Sequence, residues 1–144
     1  MTQPNWRPVA SALKIPALPE GGIWSVAVEY VTGPRKLKIA ARGRWSVYAG
    51  QDCGPDGDGF AEPVDKCLAT NAPRGSLIAK IGGGTAERSG AILPVGRLIV
   101  IELPDPSAAG VTPVRGPLFL TMNDDPSKFA DHSGEIEIDI WEAY

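Results

Sequence analysis

One histidine, His132, and two cysteines, Cys53 and Cys67, are all the imidazole and thiol chemistry this chain of 144 residues carries. With no second Cys or His pair at ligand spacing, a structural zinc site is excluded. No apolar run approaches the roughly 20 residues that span a bilayer, so no membrane insertion is expected. Residues 1–12 lack the basic-then-apolar pattern of a secretory leader. The expected location is therefore cytoplasmic, with release to the cell exterior by a non-classical route left open. Basic residues are not in excess either: 14 Lys and Arg against 17 Asp and Glu give a net charge of −3 and a pI near 5.1. A nucleic-acid partner, which needs a basic stripe to displace counterions, is excluded on that ground. The one basic cluster, Arg35, Lys36 and Lys38, reads as a solvated face. There is no Gly-x-Ser-x-Gly elbow, and Asp131, His132 and Ser133 are too close in one loop to adopt nucleophile, base and orienter geometry, so the chain is not expected to be an enzyme.

Glycine and proline, by contrast, are abundant. Seventeen glycines and 14 prolines punctuate the sequence every few residues and leave almost no room for a helix of ten or more. The composition predicts an all-β domain. Residues 1–22, with Pro4, Pro8, Pro16 and Pro19, read as an extended segment packed on the domain, with at most an edge strand near residues 10–15. Residues 23–144 form the domain proper.

Within it, residues 23–31 and 36–42 alternate apolar and polar positions about a Thr-Gly-Pro-Arg turn, which predicts a hairpin. Residues 49–75 form the longest irregular stretch. Short strands follow at 76–81 and 91–95, and residues 97–103, nearly continuous in Leu, Ile and Val, read as a strand covered on both faces. The last two strands are 118–122 and 135–140. In the latter, Ile136, Ile138 and Ile140 face the core while Glu135, Glu137 and Asp139 face water. About eight short strands with turns between them predict a single jelly-roll-like β-sandwich, with a barrel as the alternative.

Cys53 and Cys67 bracket part of the long loop. Free thiols, or a bridge worth roughly 3 kcal/mol in the chain-entropy model, both fit, the former better without a secretory leader. Asp56-Gly57-Asp58-Gly59 echoes part of an EF-hand, but no closing Glu and no flanking helices accompany it, so it reads as a solvated loop. Trp24 and Trp45 lie in or beside strands and are assigned to the core. Trp6 and Trp141, near the ends of the chain, either pack on the sandwich or serve an interface or a sugar ring.

Between the last two strands stands Asn123-Asp124-Asp125-Pro126, followed by Phe129 and then Asp131-His132-Ser133-Gly134. Asp124, Asp125 and Asp131 crowd into one turn and repel unless a positive group sits among them, which makes a bound cation the candidate. A polar turn whose Asn and Asp side chains bond their own backbone is the alternative.

This stretch resembles the C-terminal signature of the galactophilic lectins of the PA-I, or LecA-like, type, which are calcium-dependent bacterial lectins. Gly43 with Trp45 and Tyr48, then Gly54-Pro55-Asp56-Gly57-Asp58, then Leu77 to Gly82, fall in matching order, so that the likeness covers about residues 23–140. The resemblance implies a galactose-binding-domain-like sandwich with a calcium ion at one end, chelating two hydroxyls of a galactose. Carried over by position, the metal ligands are the Asp124 carboxylate, the carbonyls of Tyr48 and Lys128, and Asp131 and His132, where the family has two Asn. The sugar would also meet Glu62 and Asp65 of the long loop, besides Asp124, Asp131 and His132. His132 is the chief departure, because calcium prefers oxygen donors. The expected function is thus calcium-dependent binding of galactose or a related glycan, with homo-oligomerisation supplying avidity. The same fold with a degenerate metal site, acting as a structural or protein-interaction module, is the second reading.

Overall fold

A computed structural model describes residues 5–57, 65–84 and 90–144. The chain is an all-β sandwich of two antiparallel sheets, as the Gly and Pro spacing predicts. In chain order the strands are β1 (Trp6–Pro16), β2 (Ser25–Val31), β3 (Arg35–Tyr48), β4 (Gln51–Cys53), β5 (Leu77–Ile81), β6 (Ala91–Pro94), β7 (Leu98–Leu103), β8 (Gly116–Met122) and β9 (Ser133–Ala143), with a 3-10 helix at Pro126–Asp131. Among the described residues no helix is long and apolar enough to cross a membrane.

The first sheet runs β1-β9-β3, and the far edge of β3 is shared by β7 along its first half and β4 along its last residues. The second runs β2-β8-β5-β6. Facing rows from the two sheets meet in the core: Leu37, Ile39, Ile136, Ile138 and Ile140 from one, Leu77, Ala79, Leu118, Leu120 and Met122 from the other. The alternation in β9 places its isoleucines there, as the sequence predicts. Two of its outward carboxylates are paired across the sheet, Glu137 with Lys14 and Arg42, and Asp139 with Arg42. Being exposed, such pairs contribute little to stability each.

Two local expectations about strand pairing and cover are corrected. The Thr-Gly-Pro-Arg turn does not close a hairpin, because among the described residues β2 pairs with β8, and β3 with β4, β7 and β9; the turn carries the chain from one sheet to the other. Strand β7 is not covered on both faces: Leu98 and Val100 are 63% and 49% exposed on the outer surface. The doubly covered strand is β5, all five residues of which are buried. Its alternate residues Leu77, Ala79 and Ile81 enter the main core, whereas Ile78 joins Trp24, Leu68, Ala72, Phe119 and Phe129 in a second apolar cluster on the outer face of that sheet. A loop draped over the sheet supplies this second cover, and strand periodicity carries no record of it.

The Pro-rich start is hydrogen-bonded into the first sheet over the whole of β1, longer than the short edge strand expected. Its register slips between Pro8 and Ala10 and again between Ala10 and Leu13, where Ala12 takes a positive φ of 52° and donates its N–H to Asp139 Oδ1 at 2.8 Å. Trp6 and Trp141 pack on the sandwich itself, their rings each 4.7 Å from the Lys38 Nζ that lies between them. Cys53 and Cys67 are both buried and reduced.

Candidate functional site

The turn between β8 and β9 is built from Asn123 outward. Asn123 is fully buried, and a buried amide must find partners for all its polar atoms. Its Oδ1 accepts from the Ala69 N–H at 2.9 Å, while Nδ2 donates to the carbonyls of Ala69, Ala72 and Pro73. Backbone bonds continue the seam: Gly75 N to Asn123 O at 2.8 Å and Leu68 N to Asp124 O at 3.1 Å. Trp45 Nε1 donates to Gly75 O at 2.8 Å from below. Residues 67–75 are therefore fastened to the end of the sandwich by one amide side chain, one indole and a short backbone ladder.

Asp125 turns away from this seam. Its Oδ1 accepts from the Ser127 N–H and hydroxyl, capping the 3-10 helix with Pro126 in the first turn. Those bonds hold its carboxyl below the usual range. The helix buries Phe129 and leaves Lys128 and Asp131 exposed. Gly134, at φ +84°, then lets β9 start directly against Trp45, whose Cα lies only 3.2 Å from where a Cβ on that glycine would be.

Asp124 is 1% exposed. Its Oδ1 accepts from Arg74 Nε at 2.8 Å and from the Asp125 N–H at 2.8 Å; its Oδ2 accepts from His132 Nε2 at 2.8 Å and, at 3.4 Å, from Arg74 Nη2. Burial pushes this carboxyl up, but the hydrogen bonds from His132, Arg74 and the Asp125 amide outweigh it and hold it below the ordinary range. His132 is itself buried, stacked against Phe129 with ring centroids 4.4 Å apart. Each of its ring nitrogens faces an oxygen that only accepts, the Ala17 carbonyl at 3.0 Å from Nδ1 and Asp124 at Nε2. Both bonds form together when the ring carries two protons. On the other side of Arg74 its Cζ lies 5.8 Å from the centroid of the Tyr48 ring, which is 40% exposed.

Beside this cluster a solvent-open cleft of about 280 Å³ is lined by Asp65, Lys66, Cys67, Arg74, Asp124, Asp125 and Lys128. Of the residues expected at a metal or sugar site, the structure thus brings Asp65, Asp124 and Lys128 to one cleft. It places Tyr48 against Arg74 and His132 beneath Asp124. Asp131 is exposed outside the cleft lining, and Glu62 lies outside the described residues. The residue that sequence reasoning missed is Arg74. Its partner Asp124 is 50 positions away, and nothing local distinguishes it from a loop arginine on the surface.

A calcium ion takes six to eight oxygen ligands. Here the one buried carboxylate has both oxygens engaged by N–H donors, with a guanidinium against it. Among the described residues no three His, Cys, Asp or Glu side chains converge as a metal site. As folded, this donor set does not fit calcium.

No protein-family model matches the sequence, and no curated protein matches it either. Among solved structures the chain is similar to one described as the N-terminal domain of EclA, a PllA-like lectin. The TM-score is 0.63 and the identity 17%, over 92% of this chain and 96% of that one. At this identity the likeness establishes a shared sandwich fold.

Proposed function

We propose that the chain is a non-enzymatic, lectin-type carbohydrate-binding domain whose site is the cleft between residues 65–67 and the 3-10 helix. The observation that carries this reading is the mixed lining of the cleft, which combines Asp65, Asp124 and Asp125 with the cations Lys66, Arg74 and Lys128. A sugar hydroxyl both donates and accepts, so a surface offering acceptors and donors together suits a polyol better than it suits an ion of either sign. The likeness of the whole sandwich to a lectin domain supports the same reading. A binding role without catalysis accords with His132, whose two ring nitrogens are spent on internal acceptors and leave none for a substrate.

Galactose is the first sugar to titrate, because the signature around Asn123 to Gly134 resembles that of galactophilic lectins. A shallow cleft of this size gives weak single-site affinity, so assembly into a homo-oligomer would supply avidity. The second reading, a structural or protein-interaction module, is favoured by one observation, the complete internal use of the Asp124 carboxylate. A glycan array followed by calorimetric titration of the best ligand separates the two. Saturable binding that weakens at least about tenfold in Asp65→Ala or Lys128→Ala supports the lectin reading, a loss of about 1.4 kcal/mol. Silence across the array, with no heat from galactose at high millimolar concentration, overturns it.

A further inference from the structure

We infer that Arg74 is a built-in replacement for a metal ion at Asp124, so that this end of the sandwich is organised, and binds its ligand, without calcium. The crowd of carboxylates at residues 124–131 needs a positive partner, and the structure shows how the chain supplies one. Asp125 is turned outward onto Ser127 and Asp131 is left to solvent, which leaves Asp124 as the one buried carboxylate of the three. Against it the Arg74 guanidinium contributes Nε at 2.8 Å and Nη2 at 3.4 Å, the side-on fork that this planar cation makes with a carboxylate.

Three of the five residues that the resemblance assigns to a metal gather around the guanidinium, Tyr48 by its ring rather than its carbonyl. Asp124 hydrogen-bonds it, the Tyr48 ring lies against it, and His132 supports Asp124 from behind. A chelated ion would draw Asp124 and its neighbours together. Here the same convergence centres on a side chain of residues 65–75, the loop that walls the cleft, so the loop brings its own cation with it. A calcium ion approaching Asp124 must meet the charge of Arg74. Displacing that side chain would strip a 6% exposed guanidinium of its carboxylate, which is strongly unfavourable. The positive charge is therefore permanent, and calcium and chelator alike leave the site unchanged. The statement about ligand binding rests on the carbohydrate reading above; the statement about Arg74 does not.

The test is thermal melting of the full chain with about 10 mM calcium chloride and, separately, with about 10 mM EDTA, where a bound ion that matters raises the midpoint by mass action. The expected midpoints agree within about 1 °C, and a calcium-dependent rise of more than about 3 °C overturns the inference. Arg74→Met, which keeps length and removes charge, exposes Asp124 to any cation that can replace the guanidinium. Its midpoint is expected to fall and then to rise with calcium, whereas Arg74→Lys, which keeps the charge, is expected to remain insensitive. If Arg74→Met melts below room temperature, recovery of native tryptophan fluorescence on adding calcium is the equivalent readout. An Arg74→Met chain that ignores calcium overturns the claim that Arg74 stands in for the ion. The two layers separate cleanly. A calcium-insensitive chain that binds no glycan refutes the carbohydrate reading alone, and glycan binding that disappears by more than about tenfold in EDTA refutes the Arg74 inference alone.

Discussion

Replacing Asp124 by Asn is the most informative single change, because it alters charge with almost no change of shape. The carboxylate is 1% exposed and receives N–H groups from Arg74, His132 and Asp125. An amide in its place offers one oxygen where two were needed, and its NH₂ faces donors. Arg74, 6% exposed, then loses the carboxylate that accepts from its Nε at 2.8 Å. Breaking one partner of a buried ion pair costs roughly 3–5 kcal/mol, well above the roughly 1 kcal/mol of an exposed pair. For a domain of this size that corresponds to a melting midpoint lower by about 10 °C, or a urea midpoint lower by about 2 M at an ordinary denaturant slope. Urea unfolding followed by tryptophan fluorescence reads it directly, since Trp45 is buried and bonded to the loop that Arg74 belongs to. Asp131→Asn serves as the control and is expected to shift stability by less than about 0.5 kcal/mol, because that side chain is exposed. A change in Asp124→Asn below about 1 kcal/mol would refute the reasoning, by showing that Arg74 and His132 find other partners at little cost.

Acid titration carries a signed expectation. Asp124 is held below its ordinary pKa in the folded chain, so its contribution is fully present above the unfolded value near 3.9 and is lost as pH falls through the folded value. Stability measured by urea unfolding should decline through that acid range in the parent and decline less steeply in Asp124→Asn. Asn123→Ala should cost about 2–4 kcal/mol in the same assay, because it orphans the buried Ala69 N–H and removes the donor for three carbonyls. Both thiols are buried, so a thiol-specific reagent should react with neither Cys53 nor Cys67 in the native chain and with both in denaturant. Rapid native labelling would contradict that placement.

The seam that holds the candidate site was partly legible in the sequence. Asp124, Asp125 and Asp131 stood out as carboxylates crowded into one turn, and of these the structure buries only Asp124, joins it to His132 and fastens the neighbouring Asn123 to residues 69–73. The partner itself was not legible. Arg74 meets Asp124 only because Asn123 and Trp45 anchor the intervening loop, and no local pattern encodes a pairing across 50 residues.

The fold divides in the same way. The all-β class and the inward face of β9 follow from composition and from a period of two, both of which are local properties of the chain. Whether β2 and β3 pair or part, and whether β5 or β7 is covered twice, depends on which surfaces the rest of the chain reaches. The sequence by itself pointed to a crowd of carboxylates, Asp124, Asp125 and Asp131, that called for a positive group among them. Only the tertiary structure decided that the partner is a side chain of the chain's own loop, because a charge is compensated by whatever packing brings within 3 Å of it.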